Sequence, residues 1–201
     1  VIARLLAQPA VYRIWQAPFA EQKLAPVFAR NDMARVRRVL DVGCGPGTNA
    51  GHFLHVDYYL GIDINRDYIQ YAHKRYGLDF RVADVATDTP ISNSRFDFIL
   101  VNSLLHHLDT RAVRRLLRAL SGLLTDDGHV HILELVRPPH AGIARMLATL
   151  DRGDYARSLD EWTSLFRESF DPLTTEPFPL RALGIVLWNM IYVKGRARTV
   201  A

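Results

Sequence analysis

Val39-Leu40-Asp41-Val42-Gly43-Cys44-Gly45-Pro46-Gly47-Thr48 is an apolar stretch that runs directly into a G-x-G-x-G loop. The apolar part suits a strand buried in a parallel sheet. The glycines let the backbone turn sharply and approach a ligand where a side chain would block it. The loop reads as a nucleotide-type cradle at the start of a helix over Gly47 to His55. Glycine-rich turns are common punctuation, so the weight of this one depends on its surroundings.

Working outward, short apolar runs at Val36 to Val42, Tyr59 to Ile64, Phe80 to Val82, Phe96 to Asn102 and His129 to Val136 have the character of buried parallel strands. Between them, Arg66 to Tyr76 and Thr110 to Leu124 carry apolar residues at helical spacing. Repetition of strand and helix predicts right-handed βαβ units, hence an α/β, doubly wound, Rossmann-like sheet with helices on both faces. Ahead of it, the stretch through Arg30 predicts one or two helices with boundaries at Pro18 and Pro26. Behind it, a helix around Leu159 to Ser169 precedes two apolar runs near Thr174 to Pro179 and Ile185 to Lys194, which predict two closing strands in a hairpin.

Three acids fall at the carboxyl ends of successive strands, where open α/β sheets bind ligands: Asp41, Asp63 and Asp84. Asp63 can accept both hydroxyls of an adenosine ribose. Asp41 suits a ligand with an ammonium group, since a carboxylate would repel a pyrophosphate. Thr48 stands where a dinucleotide fingerprint wants Gly or Ala, which also argues against a pyrophosphate. Asp84 is placed to accept from an exocyclic adenine amine. Taken singly, each acid could instead cap a turn or a helix.

From Val36 to Val136 these motifs resemble the class I S-adenosylmethionine-dependent methyltransferases, in their small-molecule, type 11/12-like group. The resemblance implies seven strands, mostly parallel with a closing antiparallel strand. It implies a single domain over 1–201, with a helical cap at 1–35, a cofactor-binding core at 36–136 and acceptor-side helices and closing strands at 137–201. S-adenosylmethionine would be the cofactor and S-adenosylhomocysteine the product. Gly43, Gly45 and Gly47 would pass beside the methionine portion, and Asp41 would help hold its amino group. Asp63 with Ile64 would take the ribose, Asp84 with Val85 the adenine, and Asn102 would lie beside the sulfonium. A looser resemblance to a bacterial group places Tyr12 and Gln16 on a helix folded over the cofactor, and Tyr155 and Arg157 facing the acceptor.

A sulfonium methyl is already activated, so transfer mainly needs the nucleophile held in line. If the nucleophile must lose a proton, a histidine suits the task near neutral pH. His106 and His107 lie just past the fourth strand, and Glu134 lies near the end of the fifth, where it could orient one of them. Adjacent residues leave a turn in different directions, so one histidine is expected to face the methyl. The alternative is that His-His-Leu-Asp merely caps the next helix. No metal is expected: His129 and His131 share one strand face and Glu134 points to the other.

The composition excludes several classes. A hydrophobic fraction of 49% and a charged fraction of 23% are those of a globular protein. No apolar run reaches the length of a membrane span, no signal-peptide pattern is evident, and the single cysteine, Cys44, suits a reducing compartment, so a cytoplasmic protein is expected. The net charge of +4 invites a nucleic-acid partner, but Arg111, Arg114, Arg115 and Arg118 follow the polar face of an amphipathic helix, so nucleic acid is disfavoured. The expected partner is a small-molecule methyl acceptor of bacterial secondary or sugar metabolism, methylated on O or N. An RNA methyltransferase and a non-catalytic cofactor-binding protein are the alternatives. The oligomeric state is left open.

Overall fold

The computed structural model describes residues 9–87, 93–150 and 153–198, with side chains from residue 19 onward. Its strands are β1 (Arg38–Val42), β2 (Tyr58–Asp63), β3 (Asp79–Val82), β4 (Phe96–Asn102), β5 (Leu124–Val136), β6 (Phe170–Ala182) and β7 (Ile185–Ala197). They form one sheet in the order β3-β2-β1-β4-β5-β7-β6. β7 runs antiparallel to both its neighbours, and the other strands are parallel to one another. The order reverses at β1, between β2 and β4. A crevice therefore opens at the carboxyl ends of β1 and β4, where such sheets receive ligands.

The pleat of β1 sorts the core. Val39 packs into one apolar layer with Tyr59, Phe98, Leu133 and Tyr192. Leu40 and Val42 pack into the other with Ile99, Val101 and Ile132. The first layer is covered by α1 (Pro9–Ala29), through Leu24 and Val27, and by α2 (Arg66–Tyr76), through Ile69 and Ala72. The second is covered by α3 (Thr110–Gly122) and α5 (Leu159–Arg167). On α3 the residues Val113, Leu116, Leu117 and Leu120 are buried. On its outer side Arg114 grips Glu168 and Arg115 donates to the Ala86 carbonyl. Part of the basic face is thus spent within the chain. Helix ends are capped as their sequences dictate: Asn65 and Asp109 accept from the first turns of α2 and α3, Gly77 closes α2 at φ 65°, and Ser158 with Glu161 forms a capping box on α5.

Four local expectations differ from the outcome. Pro18 and Pro26 do not bound helices; α1 runs through both. A proline inside a helix costs about 3 kcal/mol, and the burial of Leu24 and Val27 against the sheet works against that cost. No α-helix follows the glycine loop, which turns through residues 43–49 into a 3-10 turn at Ala50–Phe53. Gly47 and Gly51 weaken a helix there, and Asn49 turns its amide inward instead of capping one. β5 begins at Leu124 and not His129, with a register shift where Gly128 lies against the Phe96 carbonyl. A further helix, α4 (Ile143–Leu150), precedes α5. The predicted hairpin is present and longer than expected, closed by Leu183 and Gly184 at φ 49° and 79°, the positive pair of a tight two-residue turn.

Candidate active site

At the crevice the chain leaves β1 through Gly43, whose amide and that of Cys44 donate to the Ile62 carbonyl at 2.8 and 3.0 Å. Gly43 and Gly47 have φ 72° and 76°, and a Cβ on either would meet Leu104 at 3.0 Å or Tyr76 at 2.8 Å. Both positions therefore require glycine for conformation and for space. Gly45, also at positive φ, points its amide at Asp63. The loop thus ties the ends of β1 and β2 together.

Asp41 is wholly buried. Tyr59 donates its hydroxyl at 2.8 Å and Asn49 its amide at 3.3 Å, and both partners are neutral. Burial pushes the carboxyl up to about 7, against the pull of these two hydrogen bonds. A line of donors leads to it from the far side of the crevice. Lys23 of α1 donates to Ser103 at 3.1 Å, and Ser103 to the side-chain carbonyl of Asn102 at 3.2 Å. The amide of Asn102 points at Asn49 at 3.4 Å, and that of Asn49 at Asp41. Within the loop, the buried Thr48 hydroxyl has no hydrogen-bond partner among the described residues. A buried carboxylate with only neutral partners and a buried hydroxyl with none both fit a ligand that brings an ammonium and further polar atoms.

Asp63 lies at the end of β2. Its two oxygens accept from the amides of Gly45 at 2.9 Å and Asn65 at 2.8 Å, while burial raises it above the ordinary range. Each oxygen keeps a second lone pair, enough for two ribose hydroxyls. Ile64 beside it is exposed. Asp84 accepts from the Ala86 amide at 2.9 Å, fixing the turn after β3, and Val85 packs against the core. Tyr12 and Gln16 fall on α1, but their side chains lie outside the described residues.

Beyond Asn102 the chain kinks at Ser103, φ 55°, into a 3-10 turn at Leu105–His107. His106 turns inward and its Nδ1 bonds to Glu134, whereas His107 is exposed with its ring 4.2 Å from that of His106. Glu134 is wholly buried and also accepts from the amides of Leu105 at 2.7 Å and Leu135 at 2.8 Å. Burial alone would raise this carboxyl. The His106 charge and hydrogen bond, with the two amides, outweigh it and hold Glu134 below the ordinary range. His131 packs on the opposite side of β5, stacked on Phe98 and bonded to Tyr192, and burial depresses it far below the usual imidazole range.

Tyr155 and Arg157 come to the same turn from outside. The Tyr155 amide donates to the His106 carbonyl at 3.0 Å, and its half-exposed ring is available to a ligand. Arg157 departs from the expectation that it faces an acceptor. It is 6% exposed, and its guanidinium donates to the carbonyls of Tyr155 and Leu108 and to Thr110 while lying 4.7 Å from the Trp162 ring. These bonds engage both terminal nitrogens, so Arg157 clamps the histidine turn from behind. Gly153 completes this strap: a Cβ there would fall 2.1 Å from the His106 ring. Asn49, Tyr59, Lys23, Ser103, Thr48 and Gly153 thus join the site without having been singled out for it by sequence. Only Thr48, inside the glycine motif, carried a local signal, there read solely as an argument against a pyrophosphate.

Comparison with known proteins agrees with this geometry. Residues 39–128 match the family described as a methyltransferase domain. A fatty-acid O-methyltransferase of Mycolicibacterium smegmatis is 37% identical over 70 residues, covering 32% of this chain and 25% of that protein. A phthiotriol/phenolphthiotriol dimycocerosates methyltransferase of Mycobacterium ulcerans is 39% identical over 70 residues, covering 32% of this chain and 26% of that protein. The chain thus spans about a quarter of the length of these curated relatives. The N-methyltransferase NodS of Bradyrhizobium japonicum, solved with S-adenosylhomocysteine, superposes with a TM-score of 0.68 at 16% identity, covering 90% of this chain and 86% of that one. The sheet order and glycine loop are those of a Rossmann-like methyltransferase fold, and the family match falls on its strand-loop core, residues 39–128.

Proposed function

We propose that the protein transfers the methyl of S-adenosylmethionine to an oxygen or nitrogen of a small organic acceptor, with His106 as the proton acceptor and Glu134 orienting it. The observation that carries this reading is the buried His106–Glu134 pair, one turn beyond the Asn102–Asn49–Asp41 line that borders the cofactor cradle. S-adenosylmethionine supplies the activated methyl when bound. Asp41 would hold its ammonium, with the glycine loop and Thr48 around the same portion. Asp63 would take the ribose, and Asp84 with Val85 the adenine. Glu134 fixes the ring by accepting at Nδ1, so Nε2 is the nitrogen that would take a proton from the acceptor, and the carboxylate's negative charge would stabilise the imidazolium that results. Tyr155 offers an aromatic surface to the acceptor.

The first curated relative's name, fatty-acid O-methyltransferase, supports an oxygen nucleophile on an apolar molecule. The test is methyl transfer from labelled S-adenosylmethionine to the metabolites of a bacterial extract, with products identified by mass. Labelled O- or N-methyl products that vanish with His106→Ala support the reading. Labelled RNA in place of small molecules, or S-adenosylhomocysteine binding with no methylated product, would move the protein to one of the two alternative classes.

A further inference from the structure

The described residues expose an apolar surface that the methyl-transfer site does not use. On α4, Ile143, Met146 and Leu150 share one helix face and are 52%, 54% and 71% exposed. The opposite side of α4 is held by Ala148, buried against Leu180 and Met190 of the β6–β7 hairpin. At the tip of that hairpin Leu183 is fully exposed and Ile185 is 52% exposed. Val136 pairs with Asn189, so the hairpin turn projects past the carboxyl end of β5, on the crevice side of the sheet. Trp188, half-buried and packed edge-on against Phe19, stands at the base of this surface. Apolar side chains grouped in this way mark a contact surface, not scattered exposure.

The two segments that carry this surface hold charge of one sign. Residues 137–150 and 177–189 contain Arg137, Arg145 and Arg181 and no Asp or Glu. Arg137 is paired with Glu161. Arg145 donates to the carbonyls of Pro138 and Pro139, and Arg181 to that of Gly184, and neither makes an ion pair among the described residues. No described helix is long and apolar enough to cross a membrane. A short helix with an apolar stripe and flanking cations instead has the character of one that lies in a bilayer interface, its apolar face among the acyl chains and its arginines at anionic headgroups.

We propose that α4 and the β6–β7 turn form a docking surface for an anionic lipid bilayer. The occupant follows from the combination of exposed aliphatics, an aromatic residue at their base and two arginines, Arg145 and Arg181, with no ion-pair partner among the described residues, because anionic headgroups supply the counter-charge that a neutral apolar partner lacks. Docking in this orientation turns the crevice side of the sheet toward the bilayer.

The experiment is co-sedimentation of the full chain with vesicles of equal parts phosphatidylglycerol and phosphatidylcholine, and with vesicles of phosphatidylcholine alone. The wild type is expected to partition at least about tenfold more strongly onto the anionic vesicles, and high salt should reduce the difference. The pair Met146→Glu and Leu183→Glu, and separately Arg145→Gln with Arg181→Gln, should each reduce partition about tenfold or more. Unchanged S-adenosylhomocysteine binding and thermal unfolding would show that these variants fold. Absence of partition onto either vesicle, equal partition onto both, or wild-type partition by the folded variants each overturns the proposal. Sedimentation velocity covers the remaining occupant: a dimer that the Glu variants dissociate, without vesicle binding, assigns the surface to a second copy of the chain and overturns the bilayer.

Discussion

Asp41 and Glu134 are both wholly buried carboxylates near the carboxyl ends of their strands, yet they are driven in opposite directions. Asp41, with a phenol and a carboxamide as its donors, is pushed up to about 7. Glu134, with His106 and two backbone amides, is held below its ordinary range. Depth of burial is the same, so the partners decide the charge. One acid is left incomplete in the way that a cationic ligand would complete, and the other is completed internally by the His106 ring and two backbone amides.

The largest test of this contrast is kinetic. His106→Ala should slow methyl transfer by about 10²–10⁴-fold, the range of a positioned general base, with S-adenosylhomocysteine affinity almost unchanged. Glu134→Gln should slow the same step, because an amide can orient the ring but cannot stabilise its positive charge. Single-turnover rates alongside calorimetric affinities check both. His107→Ala should leave transfer near the wild-type rate, and an equal loss in both histidine variants would break the assignment.

Next in size is the ribose site. Asp63→Ala should weaken S-adenosylhomocysteine binding by about 1.5–3 kcal/mol, the range for a hydrogen bond to a charged group. Because Asp63 also accepts from Gly45 and Asn65, part of this loss should appear as disorder of the loop. Asp63→Asn, which keeps one acceptor oxygen, should lose less, and wild-type affinity in a folded Asp63→Ala variant would remove Asp63 from the ribose site.

The cofactor side of the comparison can be sharpened by pH. An ammonium prefers the ionised form of Asp41, so S-adenosylhomocysteine affinity should climb as pH rises toward about 7, by up to about tenfold per pH unit, and level off above it. Asp41→Asn should bind more weakly and lose this dependence. Calorimetry between pH 5.5 and 8.5, intervals chosen to bracket about 7, reads both, and a parallel pH profile in wild type and variant would remove Asp41 from the ammonium site.

The smallest effects are on stability. In the ligand-free protein the folded Asp41 holds a proton that the unfolded chain releases near 3.8, so the stability it contributes is complete below that value and is lost as pH rises through about 7. Asp41→Asn should therefore gain melting temperature relative to wild type at high pH and not at low pH. His131 acts in the opposite sense. Its folded value lies far below its ordinary 6.5, so stability is lost as pH falls below 6.5 and the unfolded chain takes up the proton first. His131→Phe, which keeps the stacking on Phe98, should flatten that acid limb in a melting series.

What sequence revealed of this site was what sequence spacing encodes. The strand-loop segment through Gly47 and the acids Asp41, Asp63 and Asp84 are local signals, and the amphipathic period of α3 needs only its own residues. The pairing of one histidine with Glu134 was also legible, since both follow strand ends. Which histidine was not, because the kink at Ser103 and the 3-10 turn set their directions and neither has a regular period. Lys23 and Asn49 were hidden because their partners lie on other elements. Arg157 was misplaced for the same reason: a charged residue in a loop suggests a ligand contact, whereas here backbone carbonyls of a distant turn consume it.

β6 forms one margin of the sheet and carries Pro172, Pro177 and Pro179 along its length. Each proline lacks an amide hydrogen, so the row of donors another strand would need is interrupted three times over. A neighbouring molecule therefore cannot zip onto this margin, and the opposite margin, β3, is confined to Asp79–Val82. Sheet continuation between copies is closed off at one end by chemistry and curtailed at the other by length. The protein can present sticky aliphatic side chains at its hairpin tip without offering the backbone template along which fibrils grow.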